Sequence, residues 1–304
     1  MLDTPRANSA SIPKAPAPWQ LHGQGWVFLS HTPFSEQPVP LPTGSYSPFE
    51  QGTSSDLTKR FHGGTGAVMI VRYDTSPVGP YDELLFIPGY FSFTDENKQT
   101  QYHMTVTRIY VSTPASVKNG RGNWSIPKHI AKFNFTPVAG DRHATRITIA
   151  QPSSSSKPFF RAIVKDSRLT PFSFPISTSL IETGFVRRLT KDFEFQLVQP
   201  PLSDLTEVQD ASMKATAAGE ELSWLVPSST TSIVKPTSSG RAKLCHILLD
   251  KQAETDEQSW DGFGDGKPDG FPRFKPIMGG RGSHMVSFDM TFPVPVALSA
   301  HQLS

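Results

Sequence analysis

Apolar residues in this chain come in short stretches broken by glycine and proline. Gly66-Ala67-Val68-Met69-Ile70-Val71-Arg72-Tyr73 is an apolar run that stops at a turn, and it predicts a buried strand. Residues 84–88 predict a short strand directly after it. Residues 102–111 alternate apolar with polar and are rich in β-branched side chains, so they predict one continuous strand. Residues 142–150, 159–164, 193–198, 244–249 and 285–292 read the same way. One clear helix is predicted: Thr113 is its N-cap, Pro114 its first residue and Gly120 its stop. A second helix is expected over 202–213, starting near Ser203-Asp204. About ten strands without β-helix-β alternation predict a mainly β (α+β) fold, a mostly antiparallel barrel or cone with few short helices.

Composition narrows this further. With 28 Pro, 22 Gly and 21 Phe, long helices are excluded. The 304 residues suffice for one large core, read as a single domain over 19–304 behind a flexible, proline-bearing leader over 1–18 that wraps or frays. The leader has no apolar stretch of the kind a secretory signal needs, and no window supports a membrane span. Lys+Arg 29 against Asp+Glu 27 leaves +2, so nothing electrostatic favours nucleic acid. Arg187-Arg188 and Lys59-Arg60 read as solvated faces. The single cysteine, Cys245, excludes an internal disulfide and suits a reducing, cytoplasmic home. Neighbours on a strand face opposite ways, so Cys245-His246 is buried strand rather than a catalytic pair.

Chemistry concentrates in Gly120-Arg121-Gly122-Asn123-Trp124-Ser125-Ile126-Pro127-Lys128-His129-Ile130. Lys128 lies among Trp124, Ile126 and Ile130. Apolar surroundings penalise the ammonium and are expected to lower its pKa. A neutral amine can attack a carbonyl and form an imine.

The pattern Gly-Arg-x-x-Trp-x-x-Pro-Lys resembles the signature of the acetoacetate decarboxylase family, whose lysine after the proline is the Schiff-base nucleophile; that position here is Lys128. Asp74-Thr75-Ser76-Pro77-Val78-Gly79-Pro80-Tyr81-Asp82-Glu83 resembles the family's Asp-Thr-Ser-x-x-Gly-x-Tyr-x-Glu, which carries an active-site glutamate, here Glu83. Looser similarity runs from Phe159 to Pro175 and from Leu197 to Pro201, so the resemblance covers residues 60–200. It implies a closed, cone-like sheet whose interior is the active-site cavity. It also raises a homo-oligomer, because the family often assembles. The chain reads as a divergent member. The family's second lysine is His129 here, and Gly122 follows the Gly-Arg in place of glutamate. The arginine expected near the N-terminus falls at His31 in Trp26-Val27-Phe28-Leu29-Ser30-His31.

Other motifs carry less. In Asp261-Gly262-Phe263-Gly264-Asp265-Gly266-Lys267-Pro268-Asp269-Gly270 the carboxylates fall four apart, and position twelve is Pro272. This does not match an EF-hand, and an acidic, glycine-rich surface loop is expected. His62-Gly63-Gly64-Thr65-Gly66 lacks the Lys-Ser/Thr of a phosphate loop and reads as a tight turn before the Ala67 strand. Histidine spacing supports no zinc site, and no Gly-x-Ser-x-Gly elbow occurs. No cofactor or metal is expected.

The reading is therefore a lysine-dependent lyase acting on a largely apolar carbonyl or β-keto substrate. Lys128 forms the imine and Glu83 handles protons or orients the lysine. His129 and His31 are secondary acid/base candidates. Arg121 holds the turn that presents Lys128, or binds a carboxylate, and Trp124 and Tyr81 shape the cavity. With the second lysine and the arginine gone, poor activity on acetoacetate and a larger apolar substrate are expected. One alternative keeps the fold but uses it for cyclisation, dehydration or isomerisation of a polyketide- or terpenoid-like molecule, without a Schiff base. Another is a carrier of an apolar ligand, which needs neither Lys128 nor Glu83.

Overall fold

Strands with no solvent face explain why the sequence shows apolar runs where alternation would otherwise appear. The computed structural model describes residues 12–95, 97–154, 157–168, 172–181, 196–205, 214–215, 219–250 and 262–298. In chain order the strands are β1 (Trp19–Thr32), β2 (Phe61–Thr75), β3 (Tyr81–Ile87), β4 (Tyr90–Thr94), β5 (Thr100–Met104) and β6 (Arg108–Val111). Helix α1 (Pro114–Trp124) follows. Next come β7 (Lys128–Ile130), β8 (Lys132–Val138), β9 (Asp141–Ala150), β10 (Pro158–Asp166), β11 (Phe174–Ser177) and the short helix α2 (Thr178–Ile181). The last are β12 (Leu197–Gln199), β13 (Thr231–Val234), β14 (Thr237–Leu248), β15 (Arg281–Phe292) and β16 (Val296–Leu298).

Pairing closes a barrel. From β1 the order runs through β2, β3, β6 and β7, then β8, β9, β10, β14 and β15, and back to β1. The step from β7 to β8 is made by the chain itself: the Ala131 amide donates to the Val111 carbonyl at 2.9 Å, and Lys132 then pairs with Ala150. All pairings in the ring are antiparallel except β6 with β7. A second sheet, β16-β13-β12-β5-β4, grows from the start of β2. Helix α1 packs against β7, β6 and β13.

The wall made by β1, β2, β3 and β6 is therefore buried on both sides. Inside the ring lie Phe28, Ile70, Leu84, Phe86 and Tyr110, with Phe263, Phe271 and Phe274 of the 262–275 segment filling the space. On the other side Leu21, Val71, Tyr73, Leu85 and Ile109 pack against Met104, Leu197 and Val234 of the second sheet and against Trp124 of α1.

Three local expectations change. Residues 102–111 are two strands, because the chain crosses from one sheet to the other at 105–107. Thr105 Oγ1 donates to the Val198 carbonyl at 2.8 Å. The Gln199 side-chain amide holds both backbone groups of Val106, at 2.8 and 3.2 Å. Residues 62–66 lie within β2. Gly63 and Gly64 there take φ of 81° and 96° where the strand exchanges β4 for β3 as partner. Helix α1 begins as expected, with Thr113 Oγ1 accepting from the Ser116 amide, but it runs through Gly120 to Trp124. Residues 1–11, 187–188, 193–195 and 206–213 lie outside the described residues, and with them most of the leader and of the segment expected to form the second helix. The rest of the leader lies on α1: the Ala15 amide donates to Asn119 Oδ1 at 2.7 Å, and Asn119 Nδ2 donates to the Pro13 carbonyl at 3.0 Å. Among the described residues no helix is long and apolar enough to cross a membrane.

Candidate active site

Lys128 opens β7 just after a tight turn. Ser125, which ends α1, adopts the left-handed conformation at φ 56°, a cost of about 1–2 kcal/mol for a residue with a Cβ. Its hydroxyl is held by Ser228 Oγ at 2.7 Å, Ser232 Oγ at 3.1 Å and the Thr230 carbonyl at 3.0 Å. The lysine side chain then runs back across α1 at Gly120. A Cβ there would lie 2.5 Å from Lys128 Cδ, so the glycine is the groove in which the lysine lies. This accounts for a glycine inside the helix, which propensity alone disfavours.

The amine ends against Glu83 of β3. Lys128 Nζ donates to Glu83 Oε2 at 2.7 Å and to Ser116 Oγ at 3.2 Å. It also lies 5.2 Å from the centre of the Tyr81 ring. Lys128 and Glu83 are each 4 % exposed. The Tyr73 hydroxyl donates to Glu83 Oε1 at 3.4 Å. Burial, and then the neighbouring Glu83 charge, push the Tyr73 and Tyr81 hydroxyls well above the ordinary tyrosine range, so both remain protonated donors. Beside the amine is a cavity of about 50 Å³. It is walled by Trp19, Leu21, Leu85, Val106, Ile109, Trp124, Ile126, Leu197 and Phe292, and among the described residues no cation other than Lys128 lines it. Trp124 is fixed by its Nε1 donating to the Pro293 carbonyl at 2.7 Å, with Trp19 edge-on at 5.0 Å and Phe292 at 4.9 Å.

This site lies on the outer side of the ring, between the wall and the second sheet. The interior of the closed ring, expected to be the cavity, is filled with side chains.

His129 faces the other way. It is one residue along the same strand, so its ring points towards Tyr110 and the barrel mouth. Its Nδ1 bonds Glu220 Oε2 at 3.0 Å and its Nε2 bonds Glu50 Oε2 at 2.9 Å, while Phe49 stacks on it at 5.2 Å. Burial opposes the imidazolium, but Glu50 and Glu220 outweigh it and raise His129 to about 9. Burial likewise opposes the Glu50 carboxylate, but His129 and Arg121 outweigh it and hold Glu50 at about 2. A separate cavity of about 190 Å³ opens over this cluster, lined by Ser47, Phe49, Tyr110, Gln151, Lys214, Glu220 and Asp269.

The expected site residues thus divide. Lys128, Glu83, Tyr81 and Trp124 come together. His129 belongs to the opposite face. Arg121 is committed there too, donating from Nη1 to Glu50 Oε1 at 3.1 Å and to the Lys128 carbonyl at 3.4 Å, and from Nε to the Val226 carbonyl at 3.3 Å. It holds the turn and does not line the cavity. His31 is exposed at the far end of β1, roughly 30 Å along the strand from Leu21. The residues that β1 does bring to the cavity are Trp19 and Leu21, which sequence reasoning passed over. It also missed Tyr73, Ser116, Glu50 and Glu220. Tyr73 alone left a signal, since it shares the alternation of Val71 in an apolar run.

Residues 262–270 carry no carboxylate cage. Asp265 Oδ1 accepts the amides of Lys267 and Phe271 at 3.1 and 3.0 Å. Tyr110 Oη donates to the Gly270 carbonyl at 2.9 Å, and Arg108 Nη2 donates to that of Pro268, which pins the segment over the barrel mouth.

No family model matches the sequence, and no curated protein matches it. The structure is similar to that of the enduracididine biosynthesis enzyme MppR, complexed with the condensation product of pyruvate and imidazole 4-carboxaldehyde. The two are 12% identical, with a TM-score of 0.50, over 96% of this chain and 92% of that one. Acetoacetate decarboxylase from Legionella pneumophila subsp. pneumophila str. Philadelphia 1 aligns over 96% of this chain and 93% of its own, at 11% identity and a TM-score of 0.48. An acetoacetate decarboxylase-like enzyme from Sphingomonas wittichii RW1 aligns over 97% and 98%, at 12% identity and a TM-score of 0.46. The chain has the β-rich, acetoacetate decarboxylase-like fold.

Proposed function

We propose that this chain is an enzyme that binds a small, neutral carbonyl compound as an imine on Lys128, with Glu83 as its proton carrier. The observation that carries the reading is the sealed Lys128–Glu83 pair, 2.7 Å apart, beside an apolar cavity. Glu83 takes a proton from the ammonium. Nζ then bonds to the carbonyl carbon and its spare proton passes to the oxygen, which leaves as water when Glu83 gives back the proton it took, leaving the iminium and a free carboxylate. The iminium draws electrons from the adjacent carbon. The regenerated Glu83 carboxylate then takes the proton lost there as the enamine forms. The enamine takes back a proton or bonds to a second carbonyl carbon, and water then releases the product and the free lysine. The protonated Tyr73 and Tyr81 hydroxyls, which line the same cavity, are hydrogen-bond donors available to the departing oxygen.

Two features set the substrate class. The cavity is small beside the roughly 300–1,000 Å³ of pockets for drug-sized ligands, which disfavours the expected larger substrate and the polyketide or terpenoid reading. Among the described residues Lys128 is the one cation lining the cavity, so a substrate carboxylate would lack a charge-assisted partner there, which costs about 1.5–3 kcal/mol. This favours aldehydes and ketones over β-keto acids. MppR is complexed with the condensation product of pyruvate and imidazole 4-carboxaldehyde, two carbonyl compounds, and this supports a carbonyl substrate here.

The test is borohydride trapping with acetone, acetaldehyde, pyruvate and acetoacetate, followed by mass measurement of the Lys128 peptide. Adducts are expected with the neutral compounds, and one to two orders of magnitude more slowly with the acids. No adduct on Lys128 with any of the four rejects the imine. Faster trapping of the acids restores a decarboxylase.

A further inference from the structure

The cluster on the far side of β7 grips the peptide that carries Lys128 at three consecutive points. Arg121 Nη1 donates to the Lys128 carbonyl at 3.4 Å. The His129 ring is held at both nitrogens, by Glu50 at 2.9 Å and Glu220 at 3.0 Å. The Ile130 amide donates to Glu220 Oε1 at 2.6 Å. Glu50 joins these grips into one unit, since its other oxygen accepts from Arg121 at 3.1 Å. β7 has only three residues and, among the described residues, ladder bonds on one edge, to β6. The clamp supplies what a second neighbouring strand would otherwise give it.

We infer that His129, with Glu50, Glu220 and Arg121, is the positioning device for Lys128, holding β7 from behind so that the amine is fixed against Glu83. This rests on the reading of Lys128 as the nucleophile. A buried cation between two carboxylates and an arginine is balanced in charge, and it is rigid because both ring nitrogens are committed. Loss of the ring proton unbalances it. One carboxylate then faces a bare nitrogen, and the grip on β7 slackens. The groups facing His129 are Glu50 from the 45–50 segment, Glu220, Arg121 from α1 and Tyr110 from β6, with Lys214 and Asp269 at the rim of the cavity above. Burial holds the Tyr110 hydroxyl above the ordinary tyrosine range, so it stays neutral while His129 titrates. The arrangement therefore makes amine placement dependent on pH from the face opposite the chemistry.

The test uses the full chain and reads Lys128 by reductive methylation with formaldehyde and cyanoborohydride, peptide by peptide, across pH. In the native protein the Lys128 rate, taken relative to the exposed lysines, falls once His129 titrates near 9. In Glu220→Gln one carboxylate supporting the imidazolium is gone, so the fall begins at least about one pH unit lower. In His129→Gln the alkaline fall disappears, and the rate is roughly tenfold lower throughout. His129→Lys, which keeps a cation facing Glu50, recovers most of the rate. If His129→Gln does not fold, as judged by its melting curve, Glu220→Gln carries the test. Superimposable pH profiles for native and Glu220→Gln protein, with Lys128 labelled normally in both, overturn the clamp and leave the nucleophile standing. Absence of label on native Lys128 at every pH overturns both.

Discussion

Lys128 and His129 are adjacent, equally buried and oppositely employed. Lys128 is 4 % exposed and His129 is 3 %. The lysine has one carboxylate, one hydroxyl and a small empty space beside it. The histidine has a carboxylate on each nitrogen, a stacked ring and an arginine completing the charge balance. An ammonium can donate three hydrogen bonds, and two polar partners are found for it among the described residues. A buried charge with all its needs met holds a structure together. One with a partner for its proton and room for a visitor is set up for chemistry. Burial alone does not separate the two, but the count of partners does.

The largest effect should come from removing the amine. Lys128→Ala is expected to abolish borohydride trapping, and Lys128→Arg should not restore it, because arginine keeps its proton. Either single change also strands or crowds Glu83. Lys128→Ala should therefore lower stability by about 3–5 kcal/mol, read from denaturant curves. Lys128→Met combined with Glu83→Leu should recover most of that stability and stay inactive, which would show that the pair exists for function. Trapping elsewhere at native rates in Lys128→Ala would move the chemistry off β7.

Glu83→Gln should keep the fold and lose the proton carrier. Removing a general base typically costs about 10²–10⁴-fold in rate. Glutamine still accepts from Nζ but leaves the buried ammonium without its counter-charge, so Glu83→Gln should lower stability by an amount approaching that of Lys128→Ala. Unchanged single-turnover trapping in Glu83→Gln would reduce Glu83 to an orienting group.

The clamp should dominate the pH dependence of stability. His129 is raised from 6.5 to about 9 in the folded chain, so its contribution is complete below 6.5 and is lost as pH rises through 9. Glu50 is lowered from 4.5 to about 2, so its contribution is present above 4.5 and is lost as pH falls through 2. Melting temperature should therefore be highest between about 4.5 and 6.5 and fall on both sides. In His129→Gln the alkaline decline should vanish. A native melting temperature that stays flat from 6.5 to beyond 9 would mean that His129 is not charged in this setting.

How much of this was legible follows the same division. Lys128 and Glu83 could be read because each sits in a local motif, and the fold class because short apolar runs without helical spacing allow few architectures. Their meeting across 45 residues was expected from resemblance, and the register of β3 on β6 produces it. Glu50 and Glu220 were not legible. Glu50 lies in a stretch rich in serine, proline and glycine and Glu220 beside Gly219 and Glu221, where a carboxylate looks solvated, and only tertiary packing buries each. His129 was misplaced because its neighbour's role was extended to it, although strand alternation already sends consecutive residues to opposite faces. His31 was misplaced because β1 contributes its beginning to the cavity and its end to solvent, and nothing in the sequence shows where along a 14-residue strand the site falls. The division of residues 102–111 depends on Gln199, almost a hundred residues later, holding Val106.

The smallest expected effect is the most local. Gly120 lies inside α1, where alanine favours the helix by about 1 kcal/mol. Its Cβ, however, would meet Lys128 Cδ at 2.5 Å and Cε at 2.8 Å, so the lysine chain must move. Gly120→Ala should thus leave stability near native, the helical gain offset by crowding. Amine placement should worsen, and a displacement of about 1 Å can cost up to roughly 10²-fold in rate. The control lies two residues on. A Cβ at Gly122 meets only Val226 Cγ2, at 3.6 Å, an ordinary contact. Gly122→Ala should stabilise the protein by up to about 1 kcal/mol and leave trapping unchanged. Native trapping in Gly120→Ala would mean that the lysine tolerates displacement, and that neither the groove in α1 nor the clamp behind β7 determines where the amine lies.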